Sequence, residues 1–354
     1  MTFLNQTKQD VTILEKVMFL NIPAYRDAYS DRTAWLMACF AELAYLRFDK
    51  MSLTDPKIKE RFVSAVESLI SDTEKVSQLN SVVNTFITDH EKEMGTLGTN
   101  LGLLSYKLDT VFDNNDTQAI LVRDDNEKRL VLAFRGTEPK VIRDIKADLD
   151  AKLESTGGGK RTHRGFTKAY LQVGPEIQAR LSNGYLGQYK LYITGHSLGG
   201  ALACIAAKTL NHKGGISACY TFGSPRVGNK DWVAEIKPPM YRIVNSSDAV
   251  PMMPPGATGL SILAFFTGGI PIIGKSVKIW MTQYIGYFHS GDMRYLGRSK
   301  NADLSDTKLY PHTNSFIRIW LWVKTKIPAL GVQDHSVSVY RRKLGVIAIT
   351  RNKS

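Results

Sequence analysis

One five-residue turn constrains the fold of this 354-residue chain more than any other feature. Gly195-His-Ser-Leu-Gly199 follows a β-rich run, Lys190–Thr194, and opens a helical pattern over Leu198–Leu210. In this strand–turn–helix context a Gly-x-Ser-x-Gly sequence lifts its serine onto a tight turn above the edge of a sheet. The start of the helix also stabilises negative charge that develops there. The pattern therefore predicts that Ser197 is a nucleophile, and a structural turn is the alternative.

Strand-like and helical segments alternate on both sides of this turn. Gln118–Arg123 and Arg129–Phe134 are β-rich and are joined by a polar turn, which predicts a hairpin. Two more β-rich runs, Ala218–Phe222 and Tyr241–Val244, follow the serine, and a helical pattern covers Phe166–Leu181. Such alternation favours an α/β fold with a mostly parallel central sheet flanked by helices.

The N-terminal part of the chain is mainly helical in character. Residues 31–48 are predicted to form an amphipathic helix with Asp31 as its N-cap. No linker rich in glycine, serine or proline separates this part from the residues that follow. We therefore predict a single domain over residues 1–354, in which a helical region, 1–105, packs on a core over 106–345.

Composition excludes several classes of protein. With 43% apolar and 22% charged residues, the chain is too apolar for a disordered protein. Its three cysteines cannot form a disulfide framework, and no CxxC pair indicates a structural zinc. The first ten residues have no secretory signal pattern, so we expect a cytoplasmic protein by default, or one that is exported without a cleaved signal.

Positive charge is concentrated in the last third of the chain. The formal net charge is +13, and residues 249–354 contain 14 basic and 4 acidic residues. A basic region of this kind contacts nucleic acid, an anionic membrane surface or only solvent. No motif for groove binding or base stacking accompanies it, so we predict no nucleic-acid partner.

A serine nucleophile needs a general base, and the base needs an orienting acid. In chains of the α/β-hydrolase type the acid and then the histidine follow the serine. Asp248 lies just after the predicted strand Tyr241–Val244, and this place in the chain favours it as the acid. The alternatives have less strand context: Asp231, Asp292, Asp303, Asp306 and Asp334. His212 precedes the acid, and the residues alone do not separate the later histidines: His289, His312 and His335.

Six segments, taken in chain order, carry a family resemblance. They are Ala133–Thr137, Thr194–Ala203, Thr221–Asn229, Tyr241–Pro255, Tyr287–Gly291 and Asp334–Tyr340. Together they resemble the class 3 lipases, the family of the filamentous-fungal triacylglycerol lipases and of many bacterial lipases. The resemblance covers roughly residues 118–340, and we predict a bacterial member.

This resemblance implies an α/β-hydrolase-like fold and assigns roles residue by residue. The implied catalytic triad is Ser197, Asp248 and His335. The residues that align with the oxyanion-hole donors are Thr137 and Leu198. The histidine of the Tyr287–Gly291 segment is not catalytic in the family. The family needs no metal and no organic cofactor, and we predict none.

Two segments bear on access to the site. The family places a lid where this chain has Glu138–Gly159, with Gly157–Gly159 resembling a hinge, and a plain surface helix is the alternative. The apolar run Leu260–Lys278 is too short and too broken by glycine and proline to span a bilayer. We predict that this run lies near the mouth of the site and docks on lipid, whereas a buried core segment is the alternative.

The implied protein is an enzyme, a serine hydrolase that cleaves carboxylic ester bonds of acylglycerols through an acyl-enzyme on Ser197. A phospholipase A1 and an esterase for soluble esters are the alternatives within the same chemistry. A lipase-like scaffold without catalytic activity is the alternative outside it. The expected partners are a lipid ester substrate and a membrane or lipid interface that is contacted peripherally.

Overall fold

The computed structural model describes most of the chain. The described residues are 4, 6–20, 22, 28–46, 92–115, 117–136, 153–254, 286–313 and 334–352. Three predicted features lie outside them: Thr137, residues 138–152 of the lid and Leu260–Lys278.

Strands of the described chain form one large sheet and one separate hairpin. They are β1 (Lys107–Asn114), β2 (Thr117–Asp124), β3 (Arg129–Phe134), β4 (Leu153–Gly157), β5 (Lys160–His163), β6 (Lys190–His196), β7 (Ile216–Phe222), β8 (Met240–Asn245), β9 (Asp292–Leu296) and β10 (Leu309–Tyr310). The large sheet has the order β1-β2-β3-β6-β7-β8-β9-β10, and β4 pairs with β5. From β3 to β9 all neighbours in the sheet are parallel. The predicted mostly parallel sheet is therefore confirmed.

Helices cover both faces of the sheet. They are α1 (Lys8–Phe19), α2 (Asp31–Leu43), α3 (92–103), α4 (Arg164–Leu181), α5 (Leu198–Thr209), α6 (Lys230–Val233) and α7 (Val337–Arg351). The N-cap predicted at Asp31 is wrong by one residue, because the Ser30 hydroxyl accepts the Thr33 N–H at the start of α2. Among the described residues no helix is both long and apolar enough to cross a bilayer.

Two hydrophobic cores lie on opposite faces of the sheet. On one face α2 packs on β6 and on α7, and α7 packs on α1. On the other face α5 packs on β6, β7 and α4. Successive side chains of a strand point to opposite faces, and in β3 Val131 and Ala133 join the first core whereas Leu130, Leu132 and Phe134 join the second. We call these the α7 face and the α5 face.

Candidate active site

Ser197 lies on a strained turn between β6 and α5. Its backbone φ is 56°, a value that costs a residue with a side chain about 1–3 kcal/mol. The two flanking glycines permit the turn. A Cβ at Gly195 would lie 2.2 Å from the Gly199 carbonyl oxygen, and a Cβ at Gly199 would lie 2.3 Å from the Phe134 carbonyl oxygen. The motif is therefore a nucleophile elbow in geometry as well as in sequence.

The elbow is held to the neighbouring strand and opens a helix. The Ser197 N–H donates to the Phe222 carbonyl of β7 at 2.9 Å. Leu198 is the first residue of α5, so its N–H belongs to the first turn and has no acceptor within the helix. A donor of this kind at a helix start suits an oxyanion. Thr137, the other predicted donor, lies outside the described residues.

Asp248 and His335 form a buried pair. Asp248 follows β8, His335 precedes α7, and each is 3% exposed or less. Asp248 Oδ2 and His335 Nδ1 are 2.9 Å apart. Because a carboxylate only accepts, Nδ1 carries the proton and Nε2 has the lone pair. His335 Nε2 is buried and has no hydrogen-bond partner among the residues that the structure describes.

Two further donors fix the carboxylate. The Tyr340 hydroxyl donates to Asp248 Oδ2 at 2.6 Å, and the Val250 N–H donates to Asp248 Oδ1 at 2.9 Å. Both Asp248 oxygens are thus occupied, and one faces the imidazole. Sequence reasoning did not single out Tyr340 as a partner of the acid, although it ends the segment that contains His335.

Gly223 shows how closely the elbow and the pair approach each other. It follows β7 with a φ of 57°, next to the residue that accepts the Ser197 N–H. A Cβ at Gly223 would lie 2.7 Å from Asp248 Oδ2 and 3.0 Å from His335 Nδ1. Any side chain there would displace the pair. Gly223 was not predicted as a site residue, and its only signal in the sequence is its place in the Thr221–Asn229 segment.

His196 connects the elbow to the backbone of the base. Its Nε2 donates to the His335 carbonyl at 2.6 Å, because a carbonyl only accepts. Its Nδ1 therefore accepts from the Tyr45 hydroxyl at 2.7 Å. Burial holds the pKa of His196 well below its ordinary value, and the nearby His335 lowers it further whenever His335 is protonated. His196 is thus neutral and serves as a structural link that the sequence did not predict.

The other candidate histidines lie elsewhere. His289 Nε2 donates to the Pro251 carbonyl at 2.7 Å, and His212 Nε2 donates to the Tyr189 carbonyl at 2.8 Å. His312 is exposed. The histidine that the structure brings against Asp248 is therefore the one that the family resemblance indicated.

Two of the alternative acids have partners of their own. The Asp334 carboxylate accepts the Ser247 N–H at 3.0 Å, and the Asp306 carboxylate accepts the Lys300 N–H at 2.9 Å. The glycines predicted as a lid hinge, Gly157–Gly159, form the turn of the β4–β5 hairpin, each with a positive φ. The lid itself stays a prediction.

Comparison with known proteins gives matches over part of the chain. Residues 131–258 match the family model described as lipase (class 3). The chain is 37% identical over 156 residues to a lipase of Rhizomucor miehei, which covers 41% of this chain and 42% of that protein. It is 33% identical over 142 residues to secreted mono- and diacylglycerol lipase 1 of Fusarium solani, which covers 39% and 43%. The chain thus matches less than half the length of these curated relatives. Both are fungal, and the bacterial origin stays a prediction.

A solved structure extends the similarity to most of the fold. Lipase II from Rhizopus niveus superposes with a TM-score of 0.51 at 20% sequence identity. The superposition covers 87% of this chain and 94% of that chain. At this level of identity the likeness concerns the fold, and it confirms the predicted α/β-hydrolase-like architecture.

Proposed function

Residues 131–258 belong to the class 3 lipase family, and from this premise we propose that the protein is a serine hydrolase that cleaves carboxylic ester bonds of lipids. The observation that carries the proposal is the 2.9 Å contact between Asp248 Oδ2 and His335 Nδ1. It orients a buried imidazole whose Nε2 has no partner among the described residues. A serine nucleophile requires a basic nitrogen of this kind.

In the proposed acylation step Ser197 Oγ attacks the carbonyl carbon of the ester, and His335 Nε2 takes up the hydroxyl proton. Asp248 stabilises the imidazolium that forms. The Leu198 N–H and Thr137 meet the negative charge of the tetrahedral intermediate, and one such donor contributes roughly 2.7–4 kcal/mol. His335 then returns the proton to the leaving alkoxide, and the acyl group remains on Ser197.

In the proposed deacylation step the same imidazole takes a proton from the water that attacks the acyl-enzyme carbonyl, and the imidazolium then returns this proton to Ser197 Oγ as the ester bond breaks and the fatty acid leaves. The hydrogen bond from serine to histidine in such enzymes is often long without substrate and tightens in the complex. The buried Nε2 of His335 is compatible with that behaviour. Every step uses side chains and backbone of this chain.

Acylglycerols are the substrate class that we propose. The support is the name of the Fusarium solani relative, a mono- and diacylglycerol lipase. A phospholipase A1 and an esterase for soluble esters would use the same chemistry and remain the alternatives. The contact between Asp248 and His335 supports an enzyme over an inactive lipase-like scaffold.

A hydrolysis panel with Ser197→Ala tests this proposal. The panel contains triacylglycerol, diacylglycerol, phospholipid and p-nitrophenyl esters. We expect the wild type to hydrolyse acylglycerols and a fluorophosphonate probe to label Ser197. Loss of the nucleophile lowers kcat by about 10⁶-fold. A folded wild-type protein that neither hydrolyses any ester nor reacts with the probe would support the scaffold instead.

Contact with a lipid interface belongs to the same proposal and rests on sequence alone. Leu260–Lys278 is apolar, ends in two lysines and lies in the basic part of the chain. Basic groups near an anionic surface contribute about 1 kcal/mol each. Vesicle binding by wild type and by the Phe265→Ser/Phe266→Ser variant tests it, and equal binding by a folded variant would refute it. The cytoplasmic location stays a prediction.

A further inference from the structure

One buried amide spans the loop of the acid and the loop of the base. Asn245 is the last residue of β8, three positions before Asp248, and it is fully buried. Its Nδ2 donates to the Asp334 carbonyl at 2.7 Å. Asp334 directly precedes His335, so this hydrogen bond joins two segments that are 89 residues apart in the chain.

Lys343 of α7 sets the orientation of this amide. The residue is 3% exposed, and its ammonium donates to Asn245 Oδ1 at 2.7 Å and to the Gly297 carbonyl at 2.9 Å. An ammonium only donates, and a peptide carbonyl only accepts. The oxygen of the Asn245 amide must therefore face Lys343, and the nitrogen must face Asp334.

Further hydrogen bonds connect the same two loops. The Asn245 N–H donates to the Tyr340 hydroxyl at 3.0 Å, and that hydroxyl donates to Asp248. The Ser247 N–H donates to the Asp334 carboxylate at 3.0 Å. Asn245 thus contributes both its backbone and its side chain to contacts that link the acid loop to the start of α7.

We propose that Asn245, oriented by Lys343, is a positioning residue that holds His335 at its working distance from Asp248. The proposal rests on the function proposed above. Asn245 contacts neither the ester nor the reacting atoms, and it acts through the Asp334 backbone. Catalytic groups are sensitive to such support, since a displacement of about 1 Å can lower a rate by about 100-fold.

The isosteric change Asn245→Asp tests this role. It keeps an acceptor for Lys343 but replaces the donor to the Asp334 carbonyl with a second acceptor. Two facing acceptors repel, so the base loop shifts while the packing volume stays the same. We expect kcat on a soluble p-nitrophenyl ester to fall by about 10- to 100-fold, with KM near the wild-type value.

Asn100→Asp is the matched control. Asn100 is also fully buried, its Oδ1 accepts the Leu4 N–H at 3.1 Å, and its Nδ2 donates to the Thr96 carbonyl at 2.7 Å. Asn100→Asp also replaces a donor with an acceptor, but at a position that is far in the sequence from Asp248 and His335. We expect a loss of thermal stability in Asn100→Asp with kcat unchanged.

A second variant, Lys343→Met, removes the cation that orients the amide. We expect a kcat loss in Lys343→Met and no further loss when it is combined with Asn245→Asp, because both changes act through one contact. If Asn245→Asp does not fold, Lys343→Met and Asn100→Asp together still decide the question. Thermal unfolding shows which variants are folded.

The outcomes separate the two proposals. An active wild type with unchanged kcat in folded Asn245→Asp or, failing that, in folded Lys343→Met overturns this inference alone. Equal kcat losses in Asn100→Asp and the site variants also overturn it, because the effect would then reflect general stability. An inactive wild type overturns the proposed function and this inference with it.

Discussion

The two faces of the central sheet hold their helices in different ways. On the α5 face the buried residues of α5 are small or apolar, as in the run Gly199–Ala203. On the α7 face Arg341 is buried and donates to Glu42 of α2 and to Asp10 of α1. Arg342 donates to both oxygens of Asp10 at 2.9 Å. The α5 face is therefore held by small and apolar residues, whereas the α7 face adds buried charges to its hydrophobic core.

This difference matches what each face contributes to the site. The α5 face contributes Ser197, which is positioned by its own glycines and by the adjacent strand. The α7 face contributes His335, whose helix is tied to α1 and α2 across about 300 residues of chain. Apolar surfaces are non-directional, whereas hydrogen-bonded ion pairs require one geometry. The face that must deliver a side chain from a distant segment is the face that has the directional contacts.

After loss of the nucleophile itself, the largest effect on activity is expected at the acid. Asp248→Asn keeps the volume of the side chain but removes its charge and places an amide against the imidazole. The wrong tautomer of His335 then predominates, and kcat falls by about 10⁴-fold. Hydrolysis of a soluble ester measures the loss, and the circular dichroism spectrum should stay unchanged. Near-normal activity in the folded variant would show that Asp248 is not the acid.

Stability measurements compare the faces directly. Arg341→Met leaves the buried Glu42 carboxylate without its hydrogen-bond partner, and we expect a loss of about 3–5 kcal/mol in the free energy of unfolding. Ile193→Ala creates a cavity on the α5 face and costs about 2–5 kcal/mol. The two differ in pH dependence. As pH falls, protonation of Glu42 relieves the loss of stability in Arg341→Met. The loss in Ile193→Ala does not change with pH.

Urea unfolding of both variants at neutral and acidic pH is the measurement. The wild type at each pH is the reference, since its own stability also changes. If the destabilisation caused by Arg341→Met were the same at both pH values, the buried charges would not hold α7 in the way described.

Acid titration examines Asp10 in the same network. Burial raises its pKa, but hydrogen bonds from Arg342 and Thr7 and the charges of Arg341 and Arg342 outweigh burial and lower the pKa from 3.8 to about 2. A carboxyl whose pKa is lowered on folding stabilises the folded state at pH values above its pKa in the unfolded chain. This stabilisation is lost as the pH falls toward 2. It amounts to about 2 kcal/mol.

Asp10→Asn removes this contribution. We expect its stability to change less than that of the wild type between about pH 4 and pH 2. Chemical unfolding at several pH values in this window measures the two slopes. Parallel curves for wild type and variant would contradict the lowered pKa of Asp10.

The smallest effect on the free energy of unfolding is expected when the starts of two helices, α1 and α5, are compared. Thr7 is the N-cap of α1 and shares a capping box with Asp10, whereas the Ser197 side chain makes no cap hydrogen bond to α5. We expect Thr7→Ala to lower the free energy of unfolding by about 1 kcal/mol. Ser197→Ala should lose no capping energy, although it abolishes activity. Thermal unfolding of both variants decides this, and a larger loss in Ser197→Ala would reverse the expected order.

Strands in the middle of the sheet were predictable. β3 has the predicted bounds, Arg129–Phe134, and β6, β7 and β8 each extend the predicted runs by one or two residues. Parallel strands that are buried on both faces are nearly continuous apolar runs, which makes them easy to recognise. β1 was not predicted, because its residues are mostly half-exposed and mix charged with apolar side chains.

The C-terminal helix α7 has no counterpart among the sequence predictions. Its buried side includes Arg341 and Lys343 beside Tyr340 and Leu344. Recognition of a helix from sequence depends on apolar residues at helical spacing. Buried charges interrupt that spacing in α7. The helix could therefore not be predicted from its pattern of apolar residues.

The sequence by itself determined the elbow. A strand, two glycines around Ser197 and a helix are contiguous in the chain, and together they specify the turn through local backbone geometry. Residue order and spacing left three histidines open and only the family resemblance indicated His335, whereas tertiary structure alone decided which residues support its pair with Asp248, Tyr340 and Asn245 among them. Those contacts join segments that are 87 or more residues apart. Residue spacing cannot encode a distance that depends on how α7 packs against α1 and α2.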